Sequence, residues 1–269
     1  MPPLLPDHHT HHLRCGHAAG TLHDVAASAL ARGLSAVGLS DHAPLLFLEG
    51  DHPLPTVAMP RSAFARYVGE MGEVRAEFAG RVRVLLSVEA DYLPGSQEAY
   101  RSLLAPVPLD YALGSVHWID GWHLFAGALP DGWTRDHAWS RALALTRQAA
   151  ACDWFEVLAH LDVLKTKGHL PSGWHTPELD ETLDAIADSG KAIELNTSGW
   201  RKPVNDAFPS FGILQLAARR GIPVCLGSDA HSPGDVGADF ERAARRLWEA
   251  GYRQTVTFEG RERRILPLA

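Results

Sequence analysis

Asp7-His8-His9-Thr10-His11, close to the start of the chain, is echoed near its end by Gly227-Ser228-Asp229-Ala230-His231. Each contains the pattern D-x-H. Residues two apart in a strand share a face, so His9 with His11, and Asp229 with His231, are expected to project together into one pocket. Imidazole nitrogens and carboxylate oxygens suit Zn, Fe or Mn, and two such elements point to more than one ion. Metal-assisted hydrolysis is the chemistry this pairing implies. Some of the 15 histidines must be ordinary surface residues. The first tract does not read as a purification tag, because Asp7 and Thr10 interrupt it and it continues into Leu13-Arg14-Cys15-Gly16-His17 instead of a linker.

Outward from this tract, short apolar runs alternate with longer amphipathic stretches, and the runs end in polar residues. The first ends at His9 and His11. Runs 35–40, 82–88 and 110–116 end at Asp41-His42, Glu89 and His117. Runs 155–159, 192–195 and 222–227 end at His160, Asn196 and Ser228-Asp229. Between them lie helical stretches. Thr21-Leu22-His23-Asp24 is a capping-box pattern opening a helix toward Gly33. Thr176-Pro177 opens another toward Gly190, and stretches 210–221 and 235–251 also end in glycine. Alternating strand and helix is the signature of a parallel α/β fold.

In a β/α barrel the active site forms at the carboxyl ends of the strands, where this chain has its most reactive side chains. A single domain spanning 1–269 is expected, because a closed barrel makes first and last strands neighbours without an interface between domains. Seven strands imply a distorted (β/α)7 barrel. The stretch from Thr255 to Leu268 is expected to form a hairpin.

At 269 residues and 46% hydrophobic, the chain can bury a large core. A formal net charge of −7 argues against an extended nucleic-acid interface and favours a small substrate. No apolar run reaches membrane-span length, and the opening Met1-Pro2-Pro3-Leu4-Leu5-Pro6 has no export signal. Cys15, Cys152 and Cys225 are odd in number and far apart, which fits free thiols in a reducing cytoplasm. Oligomeric state has no readable signature.

Several longer segments carry a resemblance. The D-x-H-x-H start, the following Cys15-Gly16-His17 and the strand-end residues are similar to the polymerase-and-histidinol-phosphatase (PHP) superfamily. Leu39-Ser40-Asp41-His42-Ala43-Pro44, Glu89-Ala90-Asp91-Tyr92, Gly114-Ser115-Val116-His117-Trp118-Ile119, Glu194-Leu195-Asn196-Thr197-Ser198-Gly199 and Gly227-Ser228-Asp229-Ala230-His231-Ser232-Pro233 resemble its histidinol-phosphate phosphatase branch, in order, from about residue 7 to about residue 251.

The resemblance implies a distorted seven-stranded barrel holding three divalent ions, Zn, Fe or Mn. His9, His11, Glu89 and Asp229 would hold one, and His17, His42 and His231 a second. Glu89, His117 and His160 would hold the third, with Glu89 as a bridge. Glu89, Asp229 and His231 would be catalytic. Arg201 and Lys165 would bind the substrate phosphate, Arg201 through a bidentate fork. The implied activity is hydrolysis of L-histidinol phosphate in histidine biosynthesis, by hydroxide formed at a metal-lowered pKa attacking phosphorus. The alternative is another small phosphate ester or diester. A metal-dependent amidohydrolase also begins H-x-H but bridges its ions with a carboxylated lysine, whereas the matched bridge here is Glu89. A non-catalytic metal-binding or polymerase-accessory module fits poorly with a full ligand set and no polymerase segment.

Asp7 and Asp41 are expected to orient imidazoles. Cys15 reads as a packed thiol in preference to a metal ligand. The remaining histidines read as surface, supporting or helix residues. Segment 44–60, rich in proline, is expected to form a long loop over the pocket, with Asp91, Tyr92, Trp118 and Trp200 as further candidate wall residues.

Overall fold

The computed structural model describes residues 5–268. Its parallel strands are short and almost wholly buried, as continuous apolar runs should be when both faces of a sheet are covered. In chain order all the strands are β1 (Ala36–Leu39), β2 (Arg83–Leu86), β3 (Glu89–Asp91), β4 (Leu113–Ser115), β5 (Trp118–Ile119), β6 (Trp122–His123), β7 (Val157–Leu158), β8 (Ala192–Asn196), β9 (Val224–Gly227), β10 (Gln254–Glu259) and β11 (Glu262–Pro267). β3, β4, β7, β8 and β9 form a parallel sheet in that order, and β1 pairs in parallel with β2. β5–β6 and β10–β11 are antiparallel hairpins, the second where it was expected.

The architecture is α/β with a parallel sheet, and it departs from seven regular strands. Residues 7–11 form no strand. They run between β9 and β1 with two isolated bridges, Asp7 to Val37 and Thr10 to Ala230. The His8 amide donates to the Leu226 carbonyl at 2.9 Å, the His11 amide to Ala230 at 2.8 Å, and the Gly38 amide to Asp7 at 2.7 Å. The run expected to end at Glu89 is split. β2 pairs with β1 and β3 with β4, so the chain changes partner at Ser87-Val88 and Glu89 opens a strand instead of closing one.

Among the described residues, seven α-helices cover the sheet: α1 (Leu22–Ala31), α2 (Phe64–Glu77), α3 (Gln97–Leu104), α4 (Arg135–Ala150), α5 (Pro177–Ser189), α6 (Phe211–Arg219) and α7 (Phe240–Ala250). Thr21 and Asp24 form the capping box of α1, and Thr176 caps α5, which ends at left-handed Gly190. α7 begins later than its glycine-terminated pattern suggests, because Pro233–Asp235 forms a separate 3-10 turn and Asp239 sits at φ 63°. No helix among the described residues is long and apolar enough to cross a membrane.

Strand alternation sorts the core into two. Val37, Leu39, Val84, Leu86, Ile193, Leu195, Val224 and Leu226 belong to the larger core with the helices. Ala36, Leu85, Ala192 and Cys225 belong to a smaller core on the other face, closed by Tyr111 and by Val256 and Phe258 of the carboxyl-terminal hairpin. All three cysteines are buried and free.

Candidate metal centre

Most candidate donors are delivered by a turn beyond a parallel strand or by the extended segment between β9 and β1; Glu89 opens β3, and His17 follows the 3-10 turn Leu13–Cys15. His42 follows β1 and bridges to Glu89. His117 follows β4. His160 follows β7 and Asp229 follows β9, both with positive φ, 23° and 50°. Gly227 is required at its place: a Cβ there would collide with the Glu194 carboxylate and would lie 2.7 Å from the His9 Cβ.

These residues converge on Glu89. Its Oε2 lies 2.9 Å from His42 Nδ1, 3.3 Å from His9 Nε2 and 3.6 Å from His11 Nε2. Its Oε1 faces the opposite group, 2.9 Å from His160 Nε2 and 3.6 Å from His117 Nε2, and accepts the Ser115 hydroxyl. Asp229 Oδ1 is 3.2 Å from His11 Nε2 and 3.9 Å from His9 Nε2. Nε2 atoms face each other at 3.1 Å between His9 and His11 and at 3.3 Å between His117 and His160. Glu89 Oε2 is buried without a hydrogen-bond donor. Opposed imidazole nitrogens around such a carboxylate are the donor set that divalent transition ions accept.

Donor atoms gather most tightly as His9, His11 and Asp229; His9, Glu89 and His160; His42, Glu89 and His117; and His11, His42 and His231. These groups share members with the sets the resemblance implies but do not coincide with them. His17 is beside these donors, its ring 4.8 Å from that of His231 and 5.3 Å from that of His42, but it is His11 whose donor atom groups with those of His42 and His231. Cys15 lies near His11 and Asp41, yet burial and then Asp41 push its thiol far up, and it donates to the His12 carbonyl at 3.2 Å. It packs as a neutral thiol.

Electrostatics across the cluster is uneven. Burial disfavours ionised Glu89, but His42, His9 and His117 hold its carboxyl well below the ordinary range. Burial is likewise outweighed at Asp229, first by Lys202 and then by His9. His42 is raised to about 9 against burial, chiefly by Glu89. Burial and then His11 bring His231 down to about 3.

A surrounding layer fixes the imidazoles. His9 Nδ1 donates to Glu194 at 2.8 Å and His11 Nδ1 to Asp41 at 3.1 Å, and His117 Nδ1 lies 2.9 Å from Asp91 Oδ1. His17 and His231 donate to the Cys15 and Asp229 carbonyls at 3.2 and 3.0 Å. Donation from Nδ1 leaves the Nε2 lone pair aimed into the site. Asp41 therefore does what its sequence position suggests. Asp7 does not: it accepts from the amides of His9, Ser228 and Gly237 and from the Ser228 hydroxyl, and so orders backbone in place of an imidazole. Glu194, which sequence reasoning passed over, also accepts from the His160 amide at 3.0 Å. Its signal was an acid in the middle of an apolar strand.

The donors open on a cleft of about 420 Å³. Its wall includes Phe125, Ser198, Arg201, Lys202 and Asp235. Arg201 lies on that wall. Lys165 does not: it is 2% exposed, and its ammonium donates to Asp162 at 2.9 Å, Asp206 at 2.8 Å and the Ala207 carbonyl at 2.7 Å. A buried ammonium requires such partners, and they hold it away from the cleft. Lys202 stands on the wall instead. Segment 44–60 is a long irregular loop, secured by Arg61 donating to the carbonyls of Leu45, Leu46 and Leu48, but it does not line the cleft. Nor do Asp91, Tyr92, Trp118 or Trp200; Trp118 packs on Phe47, and Trp200 lies beneath Arg242.

A family model described as the PHP domain matches residues 7–198, a span that contains seven of the nine candidate donors, and a model described as PHP-associated matches 213–238. The chain belongs to the PHP domain family. A Deinococcus radiodurans relative named a probable histidinol-phosphatase is 37% identical over 96% of this chain and 98% of its own length. The histidinol-phosphatase of Bacillus subtilis is 28% identical over 87% of this chain and 96% of its own. In fold, this PHP protein is similar to histidinol phosphate phosphatase from Lactococcus lactis, solved with zinc, L-histidinol and phosphate, at a TM-score of 0.77 and 19% identity over 97% and 99% of the two chains.

Proposed function

We propose that this chain is a metal-dependent histidinol-phosphatase, hydrolysing L-histidinol phosphate to L-histidinol and phosphate. The observation that carries the reading is the two-sided environment of Glu89, with separate imidazole groups on its two oxygens, at the floor of a cleft whose rim has Arg201 and Lys202. The substrate follows from the relatives, two of which bear the histidinol-phosphatase name across nearly their whole length.

The finer picture is ours as well. Residues 7–11 act as a seventh stave between β9 and β1, completing a distorted seven-stranded barrel in one domain over 1–269, in a cytoplasmic setting. His9, His11, His17, His42, Glu89, His117, His160, Asp229 and His231 hold three divalent ions, Zn, Fe or Mn. Bound there, such ions lower the pKa of water toward about 7 and offset phosphoryl charge. The chain's own residues do the rest. Glu194, Asp41 and Asp91 fix imidazole tautomers, so donor nitrogens are aimed before substrate arrives. Glu89 divides its two oxygens between donor groups and tempers repulsion among cations. Asp229 and His231, on the cleft wall, orient the attacking water. Arg201 holds the phosphate through N–H groups in a fork.

The test is phosphate release from histidinol phosphate against other phosphomonoesters and a phosphodiester, using protein reloaded with Zn, Mn or Fe. A kcat/KM preference for histidinol phosphate, abolished by chelation, is expected. Poor turnover of it by every metal form, with rapid turnover of another ester, overturns the substrate.

A further inference from the structure

His12 follows a candidate donor but is not one itself. Its backbone is extended, with φ −144°, so its ring faces away from that of His11, and one carboxylate serves both. Asp41 Oδ1 accepts from His11 Nδ1 at 3.1 Å and from the His42 amide at 3.0 Å, which ties it to two candidate donors. Asp41 Oδ2 lies 2.5 Å from His12 Nδ1, and among the described residues neither atom has another hydrogen-bond partner. His12 is 1% exposed and stacks on Tyr67 with ring centroids 5.3 Å apart, while the Tyr67 hydroxyl accepts from the Asp41 amide at 3.2 Å.

The far nitrogen of His12 decides its tautomer. Nε2 lies 3.1 Å from a terminal guanidinium nitrogen of Arg14, and that same nitrogen lies 2.6 Å from Glu70 of α2. A guanidinium can only donate, so Nε2 offers its lone pair and the ring hydrogen stands on Nδ1, toward Asp41. The Arg14 and Glu70 side chains are partly exposed. A chain of polar contacts therefore runs from the surface of α2 through Arg14, His12 and Asp41 to His11.

We propose that His12 and Arg14, beyond Asp41, are positioning residues of the metal centre. Arg14 fixes the His12 tautomer, His12 holds the Asp41 carboxylate, and Asp41 turns the Nε2 lone pair of His11 into the site. Without His12, Asp41 Oδ2 is left buried with no donor, and the carboxylate is free to turn off His11. The proposal rests on the metal-centre reading above.

The test compares wild type with three variants. His12→Phe keeps the ring on Tyr67 and loses the donor, His12→Asn places an amide nitrogen where Nδ1 stands, and Arg14→Met frees Nε2. Zinc affinity is measured by competitive chelation, and histidine tautomers by heteronuclear NMR of the metal-free protein. In His12→Phe the affinity for zinc is expected to fall about ten- to a hundredfold, the usual cost of losing support behind a metal-bound imidazole. His12→Asn should recover most of it, which packing alone would not give. Wild-type His12 should carry its hydrogen on Nδ1 and none on Nε2; Arg14→Met should let the Nε2 hydrogen appear and should bind zinc more weakly than wild type. The proposal is overturned if His12→Phe holds zinc within about twofold of wild type, if His12→Asn falls as far as His12→Phe, or if wild-type His12 carries its hydrogen on Nε2. Should His12→Phe fail to fold, Arg14→Met decides, and unchanged zinc affinity there overturns the proposal. If wild type binds no zinc, the metal reading falls separately and the metal-free spectrum decides. His11 resonances moved by His12→Phe and restored by His12→Asn then support the positioning role, and unmoved resonances overturn it.

Discussion

His8 and His9 are adjacent and equally buried, yet they are in opposite condition. His8 faces the carboxyl-terminal hairpin: its Nε2 is 3.0 Å from the Thr257 hydroxyl, its Nδ1 is 3.1 Å from the Leu226 carbonyl, and the rings of Tyr111 and Phe258 stand edge-on to it. Burial there lowers it to about 4, a neutral imidazole at any ordinary pH. His9 faces the cleft, where Glu194, Glu89 and Asp229 overcome the same burial and raise it well above its usual value. The difference lies in the carboxylates. One end of the sheet interior is a neutral plug and the other a charged socket, and chemistry is confined to the socket.

Breaking the socket should have the largest effect. Glu89→Gln keeps the shape but removes the shared charge, and activity should fall about a thousandfold or more while circular dichroism stays native. Breaking the plug should do the reverse. Phe258→Ala should cost about 3–5 kcal/mol in denaturant unfolding, with little change in kcat/KM per folded molecule; a large catalytic loss would mean that the two ends are coupled. Glu194→Gln reaches the boundary between them, and metal affinity measured by competitive chelation should weaken about ten- to a hundredfold. The smallest change is expected of Thr257→Val, which removes the His8 contact and should lower stability by about 1 kcal/mol in thermal melts.

Much of the socket was legible in the sequence because strand ends, caps and D-x-H spacing are local. Thr21, Thr176 and Gly190 cap helices as their types dictate. His42, His117, His160, Asp229 and His231 come together because parallel strands deliver their ends to the same side, and His9, His11 and His17 reach them from the extended segment and the turn after it. What escaped was nonlocal. The change of partner at Ser87-Val88 depends on where β1 and β4 lie. Helices α2, α3 and α4 lack the glycine stops that marked the others: they end at Phe78, Ala105 and Ala151. Lys165 follows His160 as a phosphate ligand might, but Asp206, 41 residues on, claims it. Glu194 looked like part of an apolar strand until His9 was placed against it.

The positive φ of His160 and Asp229 has a consequence for engineering. Side chains other than glycine pay about 1–3 kcal/mol to sit in such conformations. Selection of variants by heat resistance alone would therefore drift toward glycine at these two positions, discarding candidate donors in exchange for a relaxed backbone. A library screened for melting temperature without a turnover assay would enrich well-folded but inert descendants.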